Sequence, residues 1–316
     1  MTTPADRSDQ SPAYDVLLEG DYFCDLIFTG LPDMPRLGAE VVGTGFEMLP
    51  GGAFYPALAM HRLGLRTAWP ANFGSDLFSQ FVRDACRHEG IDDSLFRLHE
   101  RPLRLITVSL SFPHERAFVT FGDPPIETPL APLVRQYRPR CVLLSGLYLG
   151  QKLFDVAAAA REVGALIYMD CQAHNVTLAT PGIAEALRAV NIFAPNAAEA
   201  LALTGEVEVE AALAKLAELT PVVVIKCGGE GVIARCGNEI IREPAIPVNV
   251  IDTTGAGDCF NAGFLYSYLR GDSLEVCLRC GNICGGLSTT AHGGLAIPTA
   301  AQVERWLAQW PQEVSS

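Results

Sequence analysis

The stretch Ile251-Asp-Thr-Thr-Gly-Ala-Gly-Asp-Cys-Phe-Asn-Ala-Gly-Phe264 combines a glycine-rich turn with the start of a helix. An apolar, strand-like run at 245–250 precedes the turn, and a helical pattern at 259–269 follows it. Gly255 and Gly257 have no Cβ, so backbone N–H groups of the turn can converge on an anion. The N-terminus of the helix adds partial positive charge. The stretch therefore predicts a strand, an anion-binding turn and a helix in succession.

Short apolar runs alternate with helical patterns over much of the remaining chain. The runs are rich in branched residues and apolar on both faces, which is typical of central parallel strands. They lie at 141–145, 165–169 and 221–225, and the helical patterns lie at 153–163, 183–190 and 209–219. This alternation predicts an α/β fold with a mostly parallel central sheet and helices on both of its faces.

Two segments interrupt the alternation. Residues 14–50 contain the patterns of strands and turns without a helix, and residues 103–121 contain two strands joined by a turn. We expect these segments, about 18–50 and 103–122, to form a small antiparallel sheet. Such a sheet is suited to be a lid, because closure over an active site excludes water from the reaction.

The overall composition is that of a globular protein with one large domain. The chain has 316 residues, of which 49% are hydrophobic and 19% charged. The net charge of -13 argues against nucleic acid as a partner, since phosphate binding needs a basic surface. No apolar run approaches the roughly 18 residues that a membrane-spanning helix requires.

The N-terminal segment 1–13 is polar and lacks the apolar core of a signal peptide, so we expect a disordered tail before a domain at 14–316. The chain has ten cysteines. In a protein without an export signal these are expected to be reduced thiols. A cytoplasmic location follows as the expectation.

Asp258 has two interpretations at the start of the predicted helix. An aspartate at this place caps a helix well. Facing a substrate hydroxyl, the same carboxylate would take the proton during attack on phosphorus. The residue types alone leave both open. The turn is not a Walker A loop, because no Gly-Lys-Ser/Thr follows its glycines.

The run 252–264 resembles the C-terminal signature of the PfkB family of ribokinase-like sugar kinases. The resemblance implies a Rossmann-like three-layer domain with a β-sheet lid, and ATP as the phosphoryl donor. It implies that Gly255, Ala256 and Gly257 form an anion hole and that Asp258 is the catalytic base. By the same resemblance, Asp252 helps to hold a monovalent cation such as K⁺.

Segments on the substrate side match the family in the same order. The run 19–25 is similar to the first strand of the family, whose last aspartate contacts sugar hydroxyls, and this role falls on Asp25. Gly51 and Gly52 resemble the glycine pair where the backbone approaches the substrate. The turn 72–76 is similar to a family turn and is expected to be structural.

Segments on the nucleotide side also match. Asn196 and Glu199 resemble an Asn-x-x-Glu motif that organises Mg²⁺ and phosphate, with Glu199 acting through water, although a capped helix start explains the pair as well. The turn with Lys226, Gly228 and Gly231 is similar to a nucleotide-binding turn, and a plain hairpin is the alternative. The resemblance assigns Asn282 and Gly293 to the adenine-side loop and the edge of the cation site.

The sequence departs from the family pattern after Gly52. Tyr55 stands where a substrate-binding asparagine is expected, and it would either contact the substrate or pack. Phe54, Phe23 and Tyr22 would add to an aromatic wall. In the second lid strand, Arg116 is a candidate contact for an anionic substrate, or an ordinary exposed arginine.

The cysteines Cys277, Cys280 and Cys284 share one helical face, which favours packing over metal binding. His61, His88, His99 and His174 have no companions at ligand spacing and receive no role.

These observations predict a phosphotransferase with an alcohol acceptor, which moves the γ-phosphoryl group of ATP to a hydroxymethyl group of a sugar or sugar-like substrate. A nucleoside kinase of the same family and a catalytically weak sugar- or nucleotide-binding sensor stay open as alternatives. An NAD-dependent oxidoreductase is excluded, because no Gly-x-Gly-x-x-Gly follows the first strand.

The alternation of apolar residues at 103–110 would permit a homodimer through the lid. The acceptor and the need for potassium stay open.

Overall fold

The computed structural model describes residues 12–113, 115–172, 176–294 and 296–310. All but the last two residues of the predicted tail 1–13 lie outside these ranges, as does His174. The strands are β1 Val16–Glu19, β2 Tyr22–Thr29, β3 Gly45–Gly52, β4 Thr67–Ala68, β5 Asn72–Phe73, β6 Arg97–Leu98, β7 Leu105–Ser111, β8 Arg116–Gly122, β9 Cys141–Leu144, β10 Leu166–Asp170, β11 Ile192–Ala194, β12 Val222–Lys226, β13 Val232–Cys236 and β14 Glu239–Glu243. The helices are α1 Phe54–Arg62, α2 Leu77–Glu89, α3 Leu130–Tyr137, α4 Gln151–Val163, α5 Ile183–Arg188, α6 Ala197–Thr204, α7 Val209–Ala217, α8 Ala256–Tyr268, α9 Leu274–Ser288 and α10 Ala300–Ala308.

An eight-stranded sheet forms the centre of the molecule, with the strand order β14-β13-β12-β11-β10-β9-β1-β4. The six strands from β12 to β4 are parallel, and β13 and β14 add to the edge in antiparallel pairing. Two buried clusters lie on opposite faces of this sheet. Helices α1, α2, α8, α9 and α10 contribute to one cluster, and α3 to α7 contribute to the other. This arrangement confirms the predicted three-layer α/β fold.

The central strands are apolar on both faces because both faces are covered. In β9, Cys141 and Leu143 join one cluster, while Val142 and Leu144 join the other, and all four are at most 1% exposed. Burial of a Val or Leu side chain contributes roughly 1.5–3 kcal/mol to folding. No helix in the described part of the chain has the length and apolar character needed to cross a membrane.

The predicted strand at 245–250 is wrong. The chain leaves β14 at Glu243 and runs without regular structure to the glycine-rich turn. Pro244 and Pro247 explain the difference, because proline has no N–H to donate to a sheet ladder. The helix after the turn begins at Ala256, three residues before the predicted start at 259.

A second sheet, which we call the lid, has the strand order β3-β2-β7-β8. It is mixed rather than antiparallel, because β2 and β7 run parallel. The predicted boundary near residue 18 is too early, since β1 belongs to the central sheet and the lid begins with β2. The short strands β5 and β6 pair separately.

The two faces of the lid differ in chemistry because strand residues alternate between faces. Asp25, Thr107 and Thr120 lie in register on one face, together with Arg116 and Ser111. The opposite face carries only apolar side chains at the corresponding positions of the four strands, namely Leu26, Phe28, Phe46, Met48, Ile106, Val108, Leu110, Ala117, Val119 and Phe121. We call the first the site face and the second the apolar face.

Candidate active site

The glycine-rich turn ends at the N-terminus of α8. Gly255 is the N-cap residue, and its φ of +73° is a backbone conformation that favours glycine. A Cβ on Gly255 would lie 2.7 Å from Cγ of Tyr55, so the ring of Tyr55 packs directly against the turn. The N–H of Ala256 donates to the Thr253 carbonyl at 3.2 Å, whereas the N–H groups of Gly257 and Asp258 have no intrahelical partner and are available to an anion.

Asp258 is the third residue of α8 and does not cap the helix, since Gly255 occupies the N-cap position. The capping interpretation is therefore wrong. Burial raises the pKa of Asp258 to about 7, with a further increase from Asp170 and Glu199 and an opposing effect of Lys226. A carboxyl group with a pKa near neutrality is well matched to take up a proton at physiological pH.

A buried network connects the carboxyl ends of β10 and β12 to α8. Nζ of Lys226 donates to Oδ1 of Asp170 at 2.9 Å and to Oδ2 at 3.1 Å. Nδ2 of Asn261 donates to Oδ2 of Asp170 at 2.7 Å, and the hydroxyl of Tyr168 donates to Oδ1 of Asn261 at 2.8 Å. Asp170 and Asn261 are 4% and 2% exposed, so the acidic and amide groups are fully enclosed.

Sequence reasoning missed Asp170 and Asn261. The only available signal was that Asp170 directly follows the predicted strand 165–169, and ligands of open α/β sheets bind outside the carboxyl ends of the strands. The network also orients Lys226. A Cβ on Gly257 would lie 3.5 Å from Nζ of Lys226, so this ammonium group lies beside the anion-binding turn.

Asn196 and Glu199 form a capping box at the start of α6. Oδ1 of Asn196 accepts from the Glu199 N–H at 2.9 Å, and Oε2 of Glu199 accepts from the Asn196 N–H at 2.8 Å. The capping alternative is therefore correct as a description of the contacts. It does not exclude a second role, because Asn196 lies beside Lys226 in a parallel bridge and burial raises the pKa of Glu199, as does the charge of Asp170.

A cavity of about 480 Å³ opens beside the turn and is lined by Lys226, Gly228, Gly231, Ala256, Gly257 and Asn282 together with apolar residues such as Ile246 and Phe260. Its size and its mostly apolar walls suit a nucleotide base. Asn282 lies in the wall of this cavity, where the resemblance assigned it. Its side chain donates to the carbonyl groups of Glu243 and Pro244, which fixes the wall of the cavity.

Gly293 is not among the residues that line this cavity. A Cβ there would lie 2.8 Å from Cδ2 of Leu49, which places Gly293 against the lid. Of the two places that the resemblance named, the edge of the cation site agrees better with this position, because the neighbouring His292 lies 3.5 Å from Oδ2 of Asp252.

The substrate side centres on Asp25 in β2. Burial raises the pKa of Asp25 to about 6, with a smaller contribution from the charge of Asp252. Gly51 lies directly beside it, since a Cβ there would approach Oδ2 of Asp25 to 2.2 Å. Gly52 has a φ of +60°, where glycine is favoured. Gly51 therefore provides the space that the Asp25 carboxylate occupies, whereas Gly52 lies against Phe23 and the carbonyl of Asp21.

Three of the four aromatic residues considered for a substrate wall pack in the core, whereas Phe23 is half-buried on the site face with Asp25. Tyr55, Phe54 and Tyr22 are only 1–3% exposed, and their rings belong to the core on one face of the central sheet. The packing alternative for Tyr55 is therefore correct. Likewise, Cys277, Cys280 and Cys284 are buried in α9, as packing predicts.

Arg116 extends from β8 to the segment before the anion-binding turn. Its Nη1 lies 3.2 Å from Oδ1 of Asp252 and 3.3 Å from Oγ1 of Thr254, and its Nη2 lies 3.2 Å from Oγ1 of Thr253. Arg116 is thus neither an ordinary exposed arginine nor free to bind substrate through these atoms. On the other side, Nδ1 of His292 lies 3.5 Å from Oδ2 of Asp252.

Within the described part of the chain, no cluster of three or more His, Cys, Asp or Glu side chains could hold a metal ion. Glu199 and Asp170 carry carboxylates near Lys226 that could bind the waters of a Mg²⁺ ion.

The molecule is thus a three-layer α/β domain whose sheet lid contacts the segment before the N-terminus of α8. The family model described as pfkB family carbohydrate kinase matches residues 38–300, and the chain belongs to this family. It is therefore a carbohydrate kinase, a phosphotransferase that acts on hydroxyl groups.

Ribokinase of Bacillus subtilis is 26% identical over 300 residues, which cover 91% of this chain and 97% of that protein. Nucleoside kinase of Methanothermobacter thermautotrophicus is 28% identical over 312 residues, 95% of this chain and 97% of that protein. Among solved structures, ribokinase of Arabidopsis thaliana, complexed with ribose and ATP, aligns with a TM-score of 0.80 at 24% identity. The alignment covers 93% of this chain and 99% of that chain, and it shows a common fold.

Proposed function

We propose that this kinase transfers the γ-phosphoryl group of ATP to a hydroxymethyl group of a sugar or sugar-like alcohol, with Asp258 as the catalytic base. The observation that supports this most directly is the position of Asp258 in the first turn of α8, beside the anion-binding turn and with a pKa raised to about 7.

Each step has a residue suited to it. Asp258 takes the proton of the hydroxyl as its oxygen bonds to the γ-phosphorus, and the bond from that phosphorus to the bridging oxygen breaks to release ADP. The N–H groups at Gly255 and Gly257 are suited to hold the charge of the transferring group, and the N–H of Ala256 would join them after leaving the Thr253 carbonyl. Lys226 lies beside this turn and is suited to the phosphates, with Gly228 and Gly231 next to the nucleotide. Asp25 is suited to bind sugar hydroxyls.

Mg²⁺ would neutralise the phosphate charges when bound, with Glu199 as the water-mediated contact. Replacement of Glu199 by glutamine keeps the capping box, because glutamine at the same helical position also accepts from the N-cap backbone. It removes only the charge. We expect the Mg²⁺ concentration for half-maximal rate to rise about tenfold or more, as is typical for outer contacts of a metal.

This Mg²⁺ titration is compared with that of Glu208→Gln, which alters an exposed glutamate at the start of the next helix, α7. An unchanged Mg²⁺ requirement in Glu199→Gln would remove Glu199 from the magnesium site.

The two alternatives have less support. A nucleoside kinase would need a flat aromatic slot for the base, and Tyr55, Phe54 and Tyr22 are buried. A sensor without catalysis would not need the network that places Asp258, Asp170 and Lys226 together.

The experiment that tests the proposal measures ADP release from ATP and Mg²⁺ with a panel of sugars, acidic sugars and nucleosides. Turnover with a sugar supports the proposal, whereas ATP binding without turnover on any acceptor supports the sensor.

We further propose that the lid mediates a homodimer. Phe46, Val119 and Phe121 on the apolar face are 57%, 62% and 51% exposed. A contiguous exposed apolar surface of this kind marks an interaction site. A second copy fits it best, because a two-fold contact needs one self-complementary patch.

The use of ATP and the ten cysteines favour the cytoplasm as the location of the protein.

The Val119→Asp variant tests the dimer by sedimentation equilibrium. We expect wild type at twice the 34.0 kDa chain mass and Val119→Asp at the monomer mass, because a buried unpaired carboxylate opposes association. Val207→Asp is the matched control, since Val207 is 85% exposed outside the lid. A monomeric wild type contradicts the proposal.

A further inference from the structure

We propose that the guanidinium group of Arg116, delivered by the lid, is the built-in counter-ion of Asp252 and makes a monovalent cation unnecessary. The inference rests on the proposed phosphoryl transfer and gives the lid a chemical role in it. It replaces both the cation role expected for Asp252 and the substrate role expected for Arg116.

The contacts of Asp252 leave little room for a bound cation. Its Oδ1 accepts from the Thr254 N–H at 3.0 Å, from Oγ1 of Thr254 at 2.8 Å and from Nη1 of Arg116 at 3.2 Å. The other oxygen faces His292. A metal ion at Oδ1 would have to displace these donors and would lie against a positive guanidinium. The observed site therefore does not fit K⁺.

A counter-ion is needed because Asp252 is 6% exposed and lies three residues before the anion-binding turn at Gly255. The hydrogen bonds from Thr254 and the ion pair with Arg116 stabilise the carboxylate form of Asp252 in this buried place. Asp252 therefore stays ionised. Without Arg116 its charge would repel the phosphoryl group that the turn must bind.

The ion pair between Arg116 and Asp252 depends on the position of the lid. Arg116 is the first residue of the edge strand β8 and lies on the site face with Asp25, whereas Asp252 belongs to the main domain. Movement of the lid away from the turn would separate the two charges. Full electrostatic support of the turn is thus available only when the lid covers the site and excludes water.

The test compares wild type with Arg116→Gln in K⁺ and in N-methylglucamine chloride at equal ionic strength. We expect the same wild-type rate in both salts. Arg116→Gln should lose on the order of 10- to 100-fold in kcat, because a hydrogen bond to a charged group is lost. Its rate should recover in part with K⁺ or with millimolar guanidinium, which a merely structural role would not produce.

Arg104→Gln is the matched control. Arg104 also belongs to the lid region and pairs with an aspartate, Asp123, but at the exposed surface. We expect this variant to show the wild-type rate in both salts.

A second readout does not require turnover. K⁺ should raise the Tm of Arg116→Gln and leave that of wild type unchanged. Stimulation or stabilisation of wild type by K⁺, or a wild-type rate in Arg116→Gln, would overturn the inference. If wild type turns over no acceptor in either salt, the proposed function fails, and the Tm comparison alone decides on the counter-ion.

Discussion

Replacement of Asp258 by asparagine is expected to reduce kcat by about 10²- to 10⁴-fold, the usual contribution of a general base. Asparagine has nearly the same shape as aspartate but cannot accept the proton of the attacking hydroxyl. ATP binding should persist, because the amide leaves the glycine-rich turn and the cavity in place. ADP release at saturating substrate and ATP binding by calorimetry measure the two quantities.

The same variant should gain stability at alkaline pH. Burial, together with Asp170, raises the pKa of Asp258 from 3.8 to about 7, so folding disfavours the ionised carboxylate. The folded state therefore binds this proton more tightly than the unfolded state. As the pH rises from about 4 to about 7 the unfolded state loses the proton first, so the free energy of unfolding decreases over this range and stays lower above about pH 7. We expect the Tm of Asp258→Asn to exceed that of wild type at pH 8 and to approach it near pH 4.

Asp272→Asn serves as the control for both measurements, since Asp272 lies just beyond the other end of α8. It should leave kcat unchanged. A wild-type kcat in Asp258→Asn would contradict the assignment of the base.

Changes at Asp170 and Lys226 are expected to shift the pH profile in opposite directions. Asp170 raises the pKa of Asp258 and Lys226 lowers it, while Glu199 adds a smaller increase. Because the base acts when ionised, the rate falls on the acid side as Asp258 becomes protonated. Asp170→Asn should move this acid limb to lower pH, and Lys226→Met should move it to higher pH, each by about one unit or more.

The measurement is kcat/KM for the acceptor as a function of pH. Lys226→Met should also bind ATP more weakly, because Lys226 lies beside the anion-binding turn. In the double variant the negative charge of Asp170 and the positive charge of Lys226 are both removed. Their opposite effects on the pKa of Asp258 then cancel in part, so the acid limb should return toward the wild-type position. Shifts in the same direction, or no shift in either single variant, would show that this pair does not set the pKa of the base.

Local sequence patterns predicted the parts of the molecule that depend on neighbours along the chain. The turn at Gly255 and the helix after it are encoded within a few residues, and the central strands are recognisable because both faces are buried. The lid was visible as a break in the alternation of strands and helices. The missing strand at 245–250 shows the limit, because an apolar run looks like a strand until Pro244 and Pro247 are weighed.

Side-chain partners across the fold could not be predicted in this way. Asp170 and Lys226 are separated by 56 residues, and Arg116 and Asp252 by 136. Their pairing depends on which strands become neighbours and on how the lid is placed over α8. Tyr55 illustrates a second limit, since an aromatic phenol suits a binding wall and a core equally, and only its 3% exposure distinguishes the two.

The central sheet has a consequence for synthesis on the ribosome. Strand β1 lies between β4 and β9 in the central sheet. Its neighbour β9 ends at Leu144, so β1 lacks this partner until those residues have been synthesised. Helix α8, which packs over the same sheet face and carries the proposed base, emerges later still. A nascent chain therefore exposes apolar strand surfaces for much of its translation. On the proposed mechanism the nascent chain has no phosphoryl transfer in that period, because the proposed base Asp258 is synthesised late.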